Sequence, residues 1–177
     1  MLVLAAYALP AIVVWTVLGL GLGALPLTGA ALVLAVIYAG CYGLQEVTGR
    51  LGLPTPGSRW QVPQTMVVGV SGWRRILIWG SILGPGFLTR NPYAGFGLLP
   101  IVVATARGAA AGAMLAAVIG LAHGTGRALA LLRDARPEAA ADPMRLVLTS
   151  MYWRAFDGFA LLVVAGAAIA ACAYQFP

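Results

Sequence analysis

The sequence predicts an all-α fold: a polytopic helical membrane bundle of five, alternatively six, transmembrane helices, forming a single integral membrane domain over residues 1–177. Three observations carry this. Hydrophobic residues make up 61% of the chain and charged residues 9%, against about 45–50% and about 25% in soluble domains. Mean hydropathy is +0.91. Long apolar runs alternate with short polar segments, and a crossing needs roughly 20 apolar residues. A water-soluble domain and a disordered chain are both excluded, because 16 charged side chains cannot cover the surface of a soluble fold of this size. The net charge of +6 comes from eleven arginines and no lysine. In a membrane chain it reads as orientation and anionic-lipid contact, not as nucleic-acid binding. The Arg, Ala and Gly bias fits a GC-rich bacterial genome and a bacterial plasma membrane.

The first apolar run, Leu2–Ala24, has no basic segment before it and exceeds a signal-peptide core, so it reads as a retained span. Pro10 sits inside it, and Gly19 and Gly23, at i and i+4, permit close helix approach. A short turn around Pro26 and Thr28 leads to a second span over 29–45.

Residues 46–75 are polar and hold Glu46, Arg50, Arg59, Arg74 and Arg75. Pro54, Pro56 and Pro63 forbid one continuous helix there. Trp60 and Trp73, beside arginines, read as interfacial anchors, and Met66–Val70 as a segment at headgroup level.

Residues 76–123 are apolar with two interruptions, Gly84–Pro92 and Arg107–Gly108, and their length fits two crossings. The preferred turn is Arg90–Pro92, giving spans 76–89 and 93–121, because Asn-Pro disfavours helix at Asn91. The alternative turn, near Arg107, gives 76–105 and 108–123.

The second polar segment, 124–156, opens with Gly124 and Gly126, where the membrane helix either ends or continues outward as a frayed helix. Asp142 and Pro143 have the N-cap and first-turn pattern of a new helix. From Met144, the apolar positions Val147, Leu148, Met151, Tyr152 and Ala155 recur at helical spacing, which predicts a short interfacial amphipathic helix. The last span is 157–176. Both Arg-rich segments fall on one side in a five-span arrangement, which the positive-inside rule places in the cytoplasm, with the N-terminus inside and the C-terminus outside.

Candidate functional residues are few. Thr89, Arg90 and Asn91 follow Gly84-Pro85-Gly86, where the helical ladder must break. Broken backbone is tolerated in a membrane where it lines a cavity or is buried in protein, so these residues are either cavity-lining or an external turn. Arg107 is mid-span if the chain turns at Arg90–Pro92, and at a cost of about 2.5–3.5 kcal/mol it must then face the bundle or a wet cavity. With the other turn it is a loop residue. Glu46 and Asp157 are coupling candidates or simple helix-end groups. Cys41 and Cys172 lie in apolar stretches outside any C-x-x-C motif, as buried small residues or as a redox pair. With His123 as the single histidine, no metal site and no cofactor are expected, and no nucleophile–base constellation points to an enzyme.

The stretch Arg59-Trp60-Gln61-Val62-Pro63, followed by Trp79-Gly80 and Leu83 through Arg90, resembles small actinobacterial membrane proteins related to the DsbD-type cytochrome c biogenesis and disulfide-relay membrane domain. The resemblance covers about residues 40–100. It implies a Cys beside Pro in each of two helices passing electrons across the membrane. Here Pro85 is flanked by Gly84 and Gly86, and Cys41 has no neighbouring Pro, so that dithiol is unmatched. The expected function is a transporter-like protein or accessory subunit with a polar cavity near the broken helix. A DsbD-like thiol relay and a purely structural subunit are the alternatives. Expected partners are the lipid bilayer and another membrane subunit or a second copy.

Overall fold

The computed structural model describes residues 1–54, 68–87, 93–134 and 143–175. These residues form six helices: α1 (Leu2–Ala24), α2 (Thr28–Thr48), α3 (Gly72–Leu83), α4 (Gly95–Ala104), α5 (Ala109–Asp134) and α6 (Pro143–Gln175). Four stretches are long and apolar enough to cross a membrane: Leu2–Ala24, Thr28–Thr48, Ala109–Arg133 and Leu148–Tyr174. α3 and α4, of 12 and 10 residues, are too short to do so alone.

Two antiparallel pairs organise the molecule. α1 lies against α5, with Gly19 facing Gly112, Gly23 facing Gly108 and Gly112, Ala11 facing Gly120, and Tyr7 and Ala8 facing Gly124. A Cβ added at Gly19 would collide with the Gly112 carbonyl, and one at Gly112 with the Gly19 carbonyl. The absence of side chains is therefore what lets the two backbones touch. α2 lies against α6 through Gly43, which abuts Gly158 and Leu162, and through Ala35 and Ala39, which pack with Leu161, Ala165 and Ala168.

α4 is wedged between the pairs. Its Leu98 joins the α2/α6 core, and its Val103 joins Ala11, Trp15 and Ala116 of the α1/α5 core. α3 runs along the first half of α1, with Gly80 against the Ala6 carbonyl and Gly84 against that of Tyr7. The starts of α1, α3 and α6 and the ends of α2 and α5 therefore gather at one end of the bundle. Arg50, Arg74, Arg75, Arg133 and Arg154 belong to this arginine-rich end.

Several expectations are corrected. The chain reverses at residues 105–108, between α4 and α5, which is the alternative turn; the preferred turn, Arg90–Pro92, lies outside the described residues. α4 ends at Ala104, Thr105 Oγ1 donates to the Val102 carbonyl at 2.7 Å, and Gly108 takes φ +97°, a left-handed value suited to glycine. Arg107 is thus an exposed turn residue. Of the two outcomes open at Gly124 and Gly126, the helix continues: α5 runs to Asp134, and Gly124 serves the close approach to α1. Arg127 accordingly lies within α5. The separate interfacial helix is absent: Pro143–Gln175 is one helix of 33 residues, so the amphipathic stretch is the first part of α6. Pro143 opens that helix as expected, whereas the Asp142 cap, Trp60 and Met66–Val67 lie outside the described residues.

Candidate functional site

Between α3 and α4 the helical ladder is interrupted, and the freed backbone groups need partners. Three side chains from three different helices supply them. Trp15 of α1 donates its indole N–H to the Pro85 carbonyl at 3.1 Å. Tyr38 of α2 donates its hydroxyl to the Ala94 carbonyl at 2.8 Å. Asp157 of α6 accepts the Gly95 N–H, in the first turn of α4, at 3.0 Å through Oδ2. A carboxylate at a helix N-terminus offsets the positive end of the helix dipole. Gly95 leaves room for it, since a Cβ there would meet Asp157 Oδ1.

An aromatic cluster packs the same place. Trp15 is fully buried, its ring 4.7 Å from Phe87 and 5.9 Å from Phe96 between centroids. His123 of α5 stacks on Phe96 at 4.9 Å, and its Nε2 points at Gly86. Gly86 has φ +84°, and a Cβ there would strike both the imidazole and the Phe96 ring, so both backbone and space demand glycine. The Nε2 of His123 is buried without a hydrogen-bond partner among the described residues.

α5 and α6 share no packed seam. The gap between them, floored by α4, is a cavity of about 550 Å³. Its polar groups are Tyr93, His123, Arg127 and Asp157; Phe96, Leu98, Leu99, Leu161 and Val164 supply apolar wall. Arg127 and Asp157 stand towards the arginine-rich end, and Leu98, Leu161 and Val164 lie deeper towards the opposite end. A second, wholly apolar cleft of about 310 Å³ lies near the α1/α2 turn, between Leu22, Leu27, Leu34 and Ile101.

The sequence-predicted site residues are dispersed. Asp157 is in the cavity, as the partner of the α4 N-terminus. Glu46 is not: its carboxylate pairs with Arg154 at 3.2 Å, near the end of α2. Arg107 is at the far turn, away from the cavity. Thr89, Arg90 and Asn91 lie outside the described residues. Cys41 is exposed and Cys172 half-buried, both as free thiols. Because Gly43 abuts Gly158 and Leu162, the two cysteines are separated by about ten residues along the helices, or ~15 Å. A disulfide needs Cα atoms within about 7 Å, so the bundle does not bring them together.

Tyr93, His123 and Arg127 are site residues that the sequence reading did not select. A signal was present: His123 and Arg127 are four apart, on one helical face. The expected span end, at 121 with the preferred turn or 123 with the other, places Arg127 in the polar segment outside the membrane helix.

Known protein families, curated proteins and solved structures offer no match to the chain. The class that can be stated is a helical bundle with four helices apolar and long enough to cross a membrane, built around a short central helix.

Proposed function

We propose that this is a small multi-pass membrane protein, transporter-like or an accessory binding subunit, whose working site is the cavity between α5 and α6. α3 and α4 together form one interrupted crossing, which makes five with α1, α2, α5 and α6. The arginine-rich end faces the cytoplasm, as the positive-inside rule requires. The observation that carries the reading is the convergence of Tyr93, His123, Arg127 and Asp157 from three elements on one cavity beside the helix break. Polar and ionisable side chains at such depth are expensive unless they serve a pathway or a ligand. The half-helix whose N-terminus opens on the cavity is the arrangement found where membrane proteins hold polar solutes.

Thiol labelling tests this. Cys41 and Cys172 are replaced by Ser, single cysteines are placed at Gly126 and Ala160 in the cavity, and control cysteines at Leu121 and Val163 on outward faces. Gly126 has open space for the new side chain. In phosphatidylcholine vesicles, a membrane-impermeant thiosulfonate is expected to modify the cavity positions and spare the controls. Equal labelling of both sets would remove the cavity as a working site. Reporter fusions at residues 26 and 107 should report outside, and fusions in 50–70 and 135–142 inside.

A further inference from the structure

The cavity is graded from one end to the other. Its charged groups, Arg127 and Asp157, stand at the arginine-rich end, at the level where the Glu46–Arg154 pair marks the approach to the interface. His123 comes next, and Leu98, Leu99, Leu161 and Val164 form the deep end. From Asp157 to Val164 along α6 the slot extends about 10 Å at ~1.5 Å per residue. The long opening is sideways, because α5 and α6 make no seam there. A solute arriving from water would need a polar floor, and this floor is apolar. A molecule with a charged head and a hydrocarbon tail matches both ends at once.

The sign of the head follows from what each charged group already does. The Asp157 carboxylate is engaged by the Gly95 N–H and the positive end of α4. Arg127 makes no ion pair among the described residues and lines the cavity. Guanidinium recognises phosphate bidentately and is the preferred side chain for that chemistry. The cavity volume, about 550 Å³, suits a headgroup and the upper part of its chains, within the range of about 300–1,000 Å³ for small-ligand sites.

Resting on the cavity reading above, we infer that the ligand of this site is an anionic phospholipid of the leaflet at the arginine-rich end, entering sideways between α5 and α6, with its phosphate on Arg127 and its chains against Leu98, Leu161 and Val164.

The test is native mass spectrometry of the full-length protein from neutral detergent, titrated with phosphatidylglycerol and with phosphatidylcholine of the same chains. One phosphatidylglycerol is expected to be retained over phosphatidylcholine. Arg127→Gln should weaken it by about five- to tenfold. Arg133→Gln, which removes an exposed charge at the same end of the bundle, should leave the preference intact. Ala160→Trp, which fills the slot, should reduce both lipids. Equal retention of the two lipids by the unaltered protein overturns the inference, as does a preference that survives Arg127→Gln. Displacement of phosphatidylglycerol by millimolar inorganic phosphate also overturns it, in favour of a soluble anion. Cysteine labelling at Gly126 in delipidated detergent-solubilised protein separates the two levels: labelled, with no lipid preference, the ligand class falls and the cavity stands; unlabelled there, the cavity falls as well.

Discussion

The α1/α5 seam and the α5/α6 gap share a helix, yet they are built on opposite terms. On its α1 side, α5 presents Gly112, Ala116, Gly120 and Gly124, and backbone meets backbone with nothing polar between. On its α6 side it presents Ala122, His123, Gly126 and Arg127 across an open cavity. Lipid offers no hydrophobic drive for helices to associate, so van der Waals contact at close range must supply it, and small residues allow that contact. The gap forgoes such contact, and the Nε2 of His123 beside it is buried without a hydrogen-bond partner among the described residues.

The contrast predicts an ordered series of effects. The largest belongs to the seam. Gly19→Leu or Gly112→Leu forces the two backbones apart and should cost at least ~3 kcal/mol. Thermal unfolding of the detergent-solubilised protein, followed by size-exclusion chromatography, should show loss of the monodisperse species. A normal melting profile would mean that the seam is not the main scaffold.

Next come the side chains that seal the helix break. Trp15→Phe leaves the Pro85 carbonyl unpaired and Asp157→Ala leaves the Gly95 N–H unpaired, each at about 1–3 kcal/mol. Hydrogen exchange at residues 84–87 and 94–97 is the sensitive readout, since protection there should fall before the rest of the bundle responds.

The peripheral ion pair should matter less. Arg154 is 49% exposed while Glu46 is 5% exposed, and pairs with one solvated partner contribute about 0–1 kcal/mol. A double-mutant cycle on Arg154→Gln and Glu46→Gln should return a coupling in that range.

The smallest effect, of opposite sign, belongs to the gap. His123→Leu removes a buried nitrogen that has no hydrogen-bond partner among the described residues, and should leave the melting temperature unchanged or raise it. A clear drop would show that the imidazole is part of the scaffold, which would bring the gap and the seam under one rule.

Much of the fold is legible in the sequence. The limits of α1 coincide with the apolar run Leu2–Ala24, because hydropathy reports directly on length and lipid exposure. Gly19 and Gly23 were readable as a packing face for the same reason that they form one. The turn between α4 and α5 was harder to place. Asn91-Pro92 carries a stronger local turn signal than Arg107-Gly108, and local signals cannot tell a reversal from an interruption. That decision rests on which half of α1 and α2 each short helix packs against, Ala6 and Tyr7 for α3 and Trp15 with Ala35 for α4.

The site divides in the same way. Asp157 is named from the sequence as a helix-end group, yet it lies in the interior of α6, and its partner, the Gly95 N–H, is 62 positions away in the chain and belongs to another helix. Composition and charge placement determined the helical class, the presence of helices long and apolar enough to cross a membrane, and the gathering of arginines at one end, because each of these is a sum over residues. Tertiary structure decided which polar residues meet. Tyr93, His123, Arg127 and Asp157 come from three elements, and no periodicity within one element encodes the register between them.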